Sequence, residues 1–397
     1  MLGSWGNKFT LTVAAIHMLH LADGRILFWD YGAWPNLSTP NARIWHYEGQ
    51  PPLWITNAPN THNNMFCGGH CQVWQETLTG VRLVCGGHKN YTDPETGHVL
   101  LGIDLADLFY SQALPPVWEP TLSDMLYPRW YPTATTDHRG YAYVWGGVRK
   151  IVANVKIFED NHEFFNPITK IFLPLPTGSI RDIHEYPLMF MIPTTIIVSG
   201  VVFPGGSWFC SGPRKNTALL KVTPSRAQWS VDINSSETTF HGASVMYIAG
   251  LVMKCGGIGE TEAAIGKTEI IDLTENNPTW TTTASMNYPR RDHTLVLGPE
   301  GKVYAFNGSD ANNQSVLIPE VWDPTSKTWT ELAPMNANGA IYDPRMYHSA
   351  AMLLRTGLFV VAGGDGYNTA QLYTPDYLVS ISEQQRAQIL SVQGAYP

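Results

Sequence analysis

The sequence has little charge, little cysteine and no long apolar run. Charged residues make up 15% of the 397 residues, the formal net charge is −8, and no cluster of Lys or Arg occurs. Nucleic acid is therefore not expected as a partner, because phosphate backbones are bound by concentrated positive charge. The longest apolar stretch, near 243–253, is far shorter than a membrane span, so no transmembrane helix and no membrane partner are expected.

The cysteines and the amino terminus say little about the compartment. The start of the chain lacks the basic and apolar segments of a secretory signal. Five cysteines are too few and too scattered for a disulfide scaffold: Cys67, Cys71, Cys85, Cys210 and Cys255. Cys71, Cys85 and Cys255 fall within apolar strands and are interpreted as buried thiols. Export is favoured by glycosylation sequons at Asn36, Asn90, Asn234, Asn307 and Asn313.

Turn-forming and strand-forming residues, in contrast, are abundant. The chain contains 35 Gly and 28 Pro, and 12% of its residues are aromatic. This composition is typical of many short strands joined by tight turns. The predicted fold class is all-β.

An apolar strand ending in small residues recurs seven times, at a spacing of roughly 50 to 60 residues, as expected of kelch-type propeller blades. Four copies end in Gly-Gly, at residues 82–87, 143–147, 251–257 and 358–364. Weaker copies lie at residues 25–30, 195–200 and 302–308. We therefore predict a single seven-bladed β-propeller over residues 1–378.

An aromatic residue follows most copies and is predicted to sit on an outer strand and to cover the next blade. These residues are Trp54, Trp118, Phe172, Trp229, Trp280 and Trp329. The seventh blade has no such residue after it, whereas Trp5 precedes the first copy. The amino-terminal strand is therefore predicted to complete blade seven near Leu372 and to close the ring.

Imidazole and phenol side chains lie immediately ahead of the predicted inner strands, which begin near the axis of a propeller. They are His17, His70, Tyr131, Tyr186, His241, His293, Tyr347 and His348. Such a ring suits a metal site or a substrate mouth. Taken singly, each of these residues also has an ordinary structural interpretation as a hydrogen-bonded strand start. A local zinc site on Cys67, His70 and Cys71 is an alternative, although its spacing is tighter than the usual Cys-x-x-Cys pairs.

Three segments of this ring resemble the galactose oxidase and glyoxal oxidase family of copper-radical oxidases. They are residues 64–71 (Asn-Met-Phe-Cys-Gly-Gly-His-Cys), 128–133 (Pro-Arg-Trp-Tyr-Pro-Thr) and 345–349 (Arg-Met-Tyr-His-Ser). The resemblance implies that Cys67 is joined by a thioether to Tyr131, the radical tyrosine. It also implies that Tyr347 is an axial ligand and His348 an equatorial ligand of one copper ion. Tyr131, Cys67 and Tyr347 would then be catalytic, and Tyr131, Tyr347 and His348 would bind the metal.

The same resemblance implies an activity and a setting. The expected substrate is a small primary alcohol, aldehyde or carbohydrate, oxidised by O2 with release of H2O2. The protein is expected to act as a secreted monomer. The alternative function is that of a non-catalytic kelch propeller that binds carbohydrate or protein.

The sequence also departs from the family pattern. A second histidine ligand in the family comes from a carboxy-terminal sandwich domain that follows a hinge, matched here by residues 373–378. Residues 379–397 contain no histidine and are interpreted as the start of a truncated sandwich domain or a tail. Stiff strands are expected to keep His241 and His293 from replacing that ligand efficiently. Arg149 occupies the position of a tryptophan that stacks on the modified tyrosine in galactose oxidase. Four arginines near the mouth, Arg129, Arg290, Arg291 and Arg345, are interpreted either as substrate ligands or as solvated residues.

Overall fold

The computed structural model describes residues 2–31, 41–47, 54–75, 78–92, 99–337 and 342–379. Antiparallel strands make up nearly all of its regular structure, as the composition predicted. Helical segments in these ranges include a 3-10 turn, Thr177–Ser179, and a short helix, Asp376–Val379. No helix in the described part of the chain is long and apolar enough to cross a membrane. Residues 380–397, which we expected to begin a further domain or a tail, lie outside these ranges.

Seven antiparallel sheets form the predicted propeller, and each blade is named by its order along the chain. Blade 1 contains His17–His20, Ile26–Trp29, Arg43–His46 and Trp54–Asn57. Blade 2 contains Gly69–Gln75, Leu78–Cys85, Ala106–Tyr110 and Val117–Pro120. Blade 3 contains Thr133–Thr136, Ala142–Trp145, Glu163–Asn166 and Ile171–Pro174. Blade 4 contains Met189–Met191, Trp208–Cys210, Asn216–Thr223 and Arg226–Trp229, with Ile233–Asn234 alongside.

The remaining three blades follow the same order. Their strands are Ala243–Ile248, Leu251–Cys255, Thr268–Asp272 and Thr281–Thr283 in blade 5; Thr294–Leu297, Val303–Phe306, Glu320–Asp323 and Thr328–Glu331 in blade 6; Ser349–Leu353, Phe359–Gly363, Thr369–Thr374, Ser4–Trp5 and Phe9–Thr10 in blade 7. The first strands of blades 2, 3 and 4 contact one another in turn, as do those of blades 5, 6, 7 and 1, which places the first strands nearest the axis.

The amino-terminal strand closes the ring in blade 7. Ser4 pairs with Thr374 and Trp5 with Tyr373, and the Trp5 indole donates a 2.7 Å hydrogen bond to the Ala333 carbonyl oxygen. The predicted closure is therefore confirmed, and it supplies a partner for what would otherwise be an open sheet edge.

One hydrophobic cluster fills each of the seven interfaces between neighbouring blades. The outer-strand tryptophans join these clusters, but they face the preceding blade rather than the next one. Trp118 in blade 2 donates to the Ala58 carbonyl oxygen at 2.8 Å, and Trp329 in blade 6 donates to the Thr268 hydroxyl of blade 5 at 3.0 Å. The predicted direction was wrong because side chains alternate between the faces of a strand, and sequence alone does not tell which face meets which neighbour. Phe172 takes the same position between blades 2 and 3, whereas the side chain of Trp54 lies outside the described part.

The assignment of residues 195–200 to the inner part of blade 4 was also wrong. Ile196–Val198 instead pairs with Val201–Phe203 in a separate hairpin, and Trp208–Cys210 takes the second position of the blade. Ser199 and Gly200 form the two-residue turn, both at positive φ, of 47° and 78°. Such turns match the twist of a hairpin, so the apolar run folds back on itself.

An additional four-stranded sheet stands outside the seven blades. It is formed by His88–Thr92 and Val99–Gly102 from blade 2 and by Val148–Val152 and Val155–Phe158 from blade 3. In both blades the segment that enters this sheet begins directly after a Gly-Gly pair. Trp130 forms a bridge to Val148, which brings this sheet to the edge of the segment that contains Tyr131.

Candidate active site

A cavity of about 1070 Å³ opens at the end of the propeller where the inner strands begin. The imidazole and phenol side chains singled out in the sequence all line it, together with Cys67. They are His17, His70, Tyr131, Tyr186, His241, His293, Tyr347 and His348. The propeller thus collects residues that are more than 300 positions apart in the chain into one mouth.

Several of these side chains are presented by the same backbone device. Cys67, His241 and His348 each stand third in a turn that a backbone hydrogen bond closes, and their φ angles are 60°, 58° and 61°. Tyr131, with φ of 60°, also adopts this left-handed conformation. Residues other than glycine rarely do so, and such strain concentrates at functional sites. The turns therefore project reactive side chains toward the axis at a conformational cost.

Tyr131 lies at the centre of this group. Its hydroxyl oxygen is hydrogen-bonded to that of Tyr347, and the Cys67 thiol lies beside its side chain. Burial raises the pKa of all three groups well above their ordinary values, and the neighbouring thiol and phenol add to the effect on Tyr131. The two phenols are therefore protonated and neutral in the absence of a cation. A metal ion bound beside them would favour the phenolate form instead.

Trp130 covers the ring of Tyr131. The two rings are stacked, with centroids 4.0 Å apart and an interplanar angle of 24°. Lys156, from the additional sheet, places its ammonium 5.6 Å from the Trp130 ring and 5.9 Å from the Tyr131 ring. That ammonium is bonded to both Glu185 carboxylate oxygens at 2.8 Å.

The tryptophan stack was missed in the sequence. Arg149, which occupies the expected position, instead forms an ion pair with Glu159 at 3.7 Å. The signal was present all the same, because Trp130 lies inside the Arg-Trp-Tyr segment that pointed to Tyr131.

His348 has one ring nitrogen engaged and one free. Its Nδ1 is bonded to the Asp365 carboxylate at 2.5 Å, whereas its buried Nε2 has no hydrogen-bond partner among the described residues. A carboxylate on one nitrogen commonly orients a histidine whose other nitrogen binds a metal. Two phenol oxygens and this imidazole nitrogen make a donor set that suits copper(II). The residues thus fit the ion that the sequence resemblance implies.

The other buried histidines of the ring have structural partners. His17 accepts a 3.0 Å hydrogen bond from the Cys67 backbone amide and stacks on Trp29 at 4.9 Å. Burial lowers the pKa of His70 to about 4 and that of His293 to about 3. His293 Nε2 also lies 3.6 Å from the Cys255 sulfur. These rings are therefore neutral at ordinary pH.

The alternative zinc site is not assembled. His70 packs against Trp29 at the interface with blade 1, whereas Cys71, its neighbour in the strand, packs into the cluster between blades 2 and 3. Side chains on opposite faces of a strand do not share a small ion. Within the described ranges, no group of three or more His, Cys, Asp or Glu side chains is arranged to hold a metal.

Three of the four arginines support the fold rather than a ligand. Arg129, Arg290 and Arg345 are fully buried. Arg290 pairs with the equally buried Glu320 at 2.7 Å, and Arg129 pairs with Glu163 at 3.2 Å. Both earlier interpretations were wrong for these three residues, because each is buried and donates hydrogen bonds to carboxylates, backbone carbonyls or a hydroxyl inside the fold. Arg291 alone of the four lines the cavity.

Comparisons with known proteins agree with this architecture. Residues 290–336 match the Kelch motif. Galactose oxidase of Gibberella zeae is 24% identical over 279 residues, which cover 64% of this chain and 40% of that protein. A fungal alcohol oxidase of the AA5 family, solved in complex with copper, superposes with a TM-score of 0.73 at 20% identity and covers 95% of this chain and 77% of the other.

The chain resembles galactose oxidase. The family resemblance indicated by the three segments is thereby confirmed, as is the seven-bladed kelch-type fold. A part of the chain is also similar to alpha-scruin of Limulus polyphemus, with 27% identity over 154 residues, or 38% of this chain and 16% of that protein. The chain spans 40% of the length of the galactose oxidase that it matches.

Proposed function

We propose that this propeller is a galactose oxidase-like copper oxidase that oxidises a primary alcohol or an aldehyde with O2. The observation that carries the proposal is the grouping of Cys67, Tyr131, Tyr347 and His348 around one cavity. Support comes from the free Nε2 of His348 and from the contact between the two phenol oxygens. Arrangements of this kind are unusual for side chains that serve packing alone.

Each residue has a definite role in the proposal. Tyr131, Tyr347 and His348 would hold the copper ion, and Asp365 would orient His348 through its Nδ1. Tyr347, within hydrogen-bond reach of the centre, would accept the proton of the substrate hydroxyl. Trp130 would exclude water from one face of the Tyr131 ring.

Copper, when bound, supplies one-electron redox chemistry, and the cross-linked tyrosine supplies the second electron step that a two-electron oxidation requires. An alcohol RCH2OH then loses two electrons and two protons to become RCHO, and O2 takes both to become H2O2. Formation of the Cys67–Tyr131 thioether would likewise remove two electrons and two protons, which reduce O2 to H2O2. The thiol and one ring carbon each lose a hydrogen, and O2 is the oxidant.

The cavity favours a small polar substrate. Its volume of about 1070 Å³ accommodates a sugar or a short alcohol, and Arg291, Glu185 and Glu262 line it together with aromatic rings. Such a mixture of charged and aromatic groups suits hydroxyl-bearing molecules.

We also propose that the protein acts outside the cell as a monomer. Mass spectrometry can test export: a glycan attached at the exposed Asn313, with no glycan at the buried Asn307, would support it.

Copper loading tests the proposed function. Copper(II) and O2 should convert the chain to a form two hydrogens lighter, with Cys67 and Tyr131 in one cross-linked peptide. Cys67→Ser should abolish the mass change. The loaded protein should release H2O2 from some member of a panel of small alcohols, aldehydes and sugars.

Two variants complete the test. His348→Ala should weaken copper binding by about 100-fold, and Tyr347→Phe should lower turnover more than it lowers affinity. Unaltered copper binding in His348→Ala, together with no mass change in the parent protein, would overturn the proposal. A propeller that binds carbohydrate or protein without turnover would then be the better interpretation.

A further inference from the structure

Lys156 reaches the stacked rings of Trp130 and Tyr131 from the additional sheet. Two backbone hydrogen bonds, of 2.9 Å and 2.6 Å, join Trp130 to the first residue of the strand Val148–Val152. The next strand, Val155–Phe158, runs antiparallel to that strand and carries Lys156. The sheet is therefore fixed relative to the indole, and it brings a cation to the side of the candidate radical tyrosine.

The Lys156 ammonium lies beside the two stacked rings rather than on the outer face of either one. Its distances to the ring centroids of Trp130 and Tyr131 are 5.6 Å and 5.9 Å, whereas the two centroids are 4.0 Å apart. A cation placed outside one ring would be several ångströms farther from the other. The positive charge therefore acts on both rings to a similar extent.

Glu185 holds this ammonium in place. Both of its carboxylate oxygens accept a hydrogen bond from Lys156 at 2.8 Å. The adjacent Tyr186 donates its backbone N–H to the Tyr131 carbonyl oxygen at 2.8 Å, which ties the segment that contains Glu185 to the radical tyrosine. The carboxylate is only 14% exposed, and the ammonium is 39% exposed. The ion pair thus joins the additional sheet to the entry of blade 4 alongside the stack.

Fixed charges at this position act on the oxidation of Tyr131. A phenolate that becomes a neutral radical loses one negative charge, so a cation 5.9 Å from the ring disfavours the oxidised form. A carboxylate has the opposite effect on oxidation. Its field reaches the centre, since burial and then the negative charge of Glu185 raise the pKa of the Cys67 thiol and of the Tyr347 phenol.

We propose that Lys156, held by Glu185, is a positioning residue whose charge raises the potential at which Tyr131 is oxidised. The inference rests on the proposed function and deepens it by naming the groups that regulate the radical tyrosine. A higher potential makes the radical a stronger oxidant of an alcohol, and it also makes the radical harder to generate. Neither Lys156 nor Glu185 belongs to the three segments that resemble the oxidase family.

A redox titration of the full chain tests the inference. The protein is loaded with copper(II), its cross-link is verified by mass, and a series of metal-cyanide one-electron oxidants accepts the electron from Tyr131. The visible absorption of the radical reports the midpoint potential. Lys156→Met should shift the oxidation equilibrium about 10-fold toward the radical, which lowers this potential by about 59 mV. Glu185→Gln should raise the potential, and the double variant should lie between the two single variants.

Lys170→Met is the matched control. Lys170 also pairs with a glutamate, Glu119, at 3.1 Å, and its ammonium also lies near a phenol ring, 5.3 Å from the centroid of Tyr110. Lys170 is not among the residues that line the cavity. This variant removes the same charge from the molecule and should retain the parental potential, so it separates a local effect from a change in net charge.

The outcomes separate the two proposals. If the parent protein forms no radical with any of these oxidants, the proposed function and this inference both fail. If the radical forms but Lys156→Met keeps the parental potential, this inference is wrong and the oxidase proposal stands. Shifts in the same direction in Lys156→Met and Glu185→Gln would show a disturbed stack rather than an effect of charge, and would also overturn the inference.

Discussion

At the scale of single residues, short motifs identified the side chains of the candidate centre but not the groups that support them. Cys67, Tyr131, Tyr347 and His348 stand in segments whose residue order carries a family resemblance. Asp365 was not anticipated, because it reaches His348 only through the folded arrangement of strands and loops. Partners that are brought together by tertiary structure leave little trace in local sequence.

The buried arginines show the same limit and yield a prediction. Arg290 and Arg291 are adjacent, yet Arg290 and its partner Glu320 are fully buried, whereas Arg291 is partly exposed. Arg290→Met should destabilise the protein by about 3–5 kcal/mol, because it leaves the Glu320 carboxylate buried without its cation. Arg291→Met should alter stability by no more than about 0.5 kcal/mol.

Urea denaturation followed by tryptophan fluorescence measures both variants. Equal unfolding midpoints for the two would contradict the structural role assigned to Arg290.

At the scale of elements, the repeat was readable because glycine pairs mark the ends of second strands. The strand assignment from the repeat was wrong in blade 4, where residues 196–203 have strand-forming side chains but fold into their own hairpin. The additional sheet between blades 2 and 3 was also missed, since short apolar runs predict a strand without saying which sheet receives it. Strand pairing over long separations is decided by packing that single-sequence patterns do not contain.

Two glycines at element ends permit a comparison. Gly146 and Gly200 both have positive φ, of 54° and 78°. A Cβ added at Gly146 would collide with the His184 carbonyl oxygen, whereas one added at Gly200 meets nothing within 4 Å. Gly200→Ala should therefore cost only the backbone strain, about 1–2 kcal/mol.

Gly146→Ala adds a clash with rigid backbone and should cost about 3–5 kcal/mol. Thermal unfolding of both variants provides the measurement. A Gly146→Ala protein as stable as Gly200→Ala would show that the backbone around His184 yields easily.

At the scale of the whole molecule, the sequence predicted both the number of blades and the closure. The seven repeated strands predicted the number of blades. Trp5, which precedes the first repeat, predicted that the amino-terminal strand closes the ring. The direction in which tryptophans cover their neighbours was not accessible, because it depends on which face of each strand meets the adjacent sheet.

Closure should contribute measurably to stability. Trp5 packs on Tyr373 at 5.1 Å and on Phe306 at 6.2 Å, and so joins blades 6 and 7. Trp5→Ala should lower the free energy of unfolding by about 3 kcal/mol. Trp74→Ala, at a side chain that is 42% exposed, is the control and should cost less than about 1 kcal/mol.

Guanidinium denaturation of the two proteins gives the comparison. If Trp5→Ala unfolds at the parental midpoint, the amino-terminal strand pairs without stabilising the ring.

The pairing of Ser4 with Thr374 also sets an order of events during synthesis. A ribosome that adds roughly 5–20 residues per second needs on the order of 20–70 s between these two positions. Throughout that interval the first strand has no partner, and the unclosed array of blades exposes a sheet edge to other chains. The nascent protein should therefore depend on chaperone binding until the strand that contains Thr374 emerges, and a translational pause before that strand would prolong the dependence.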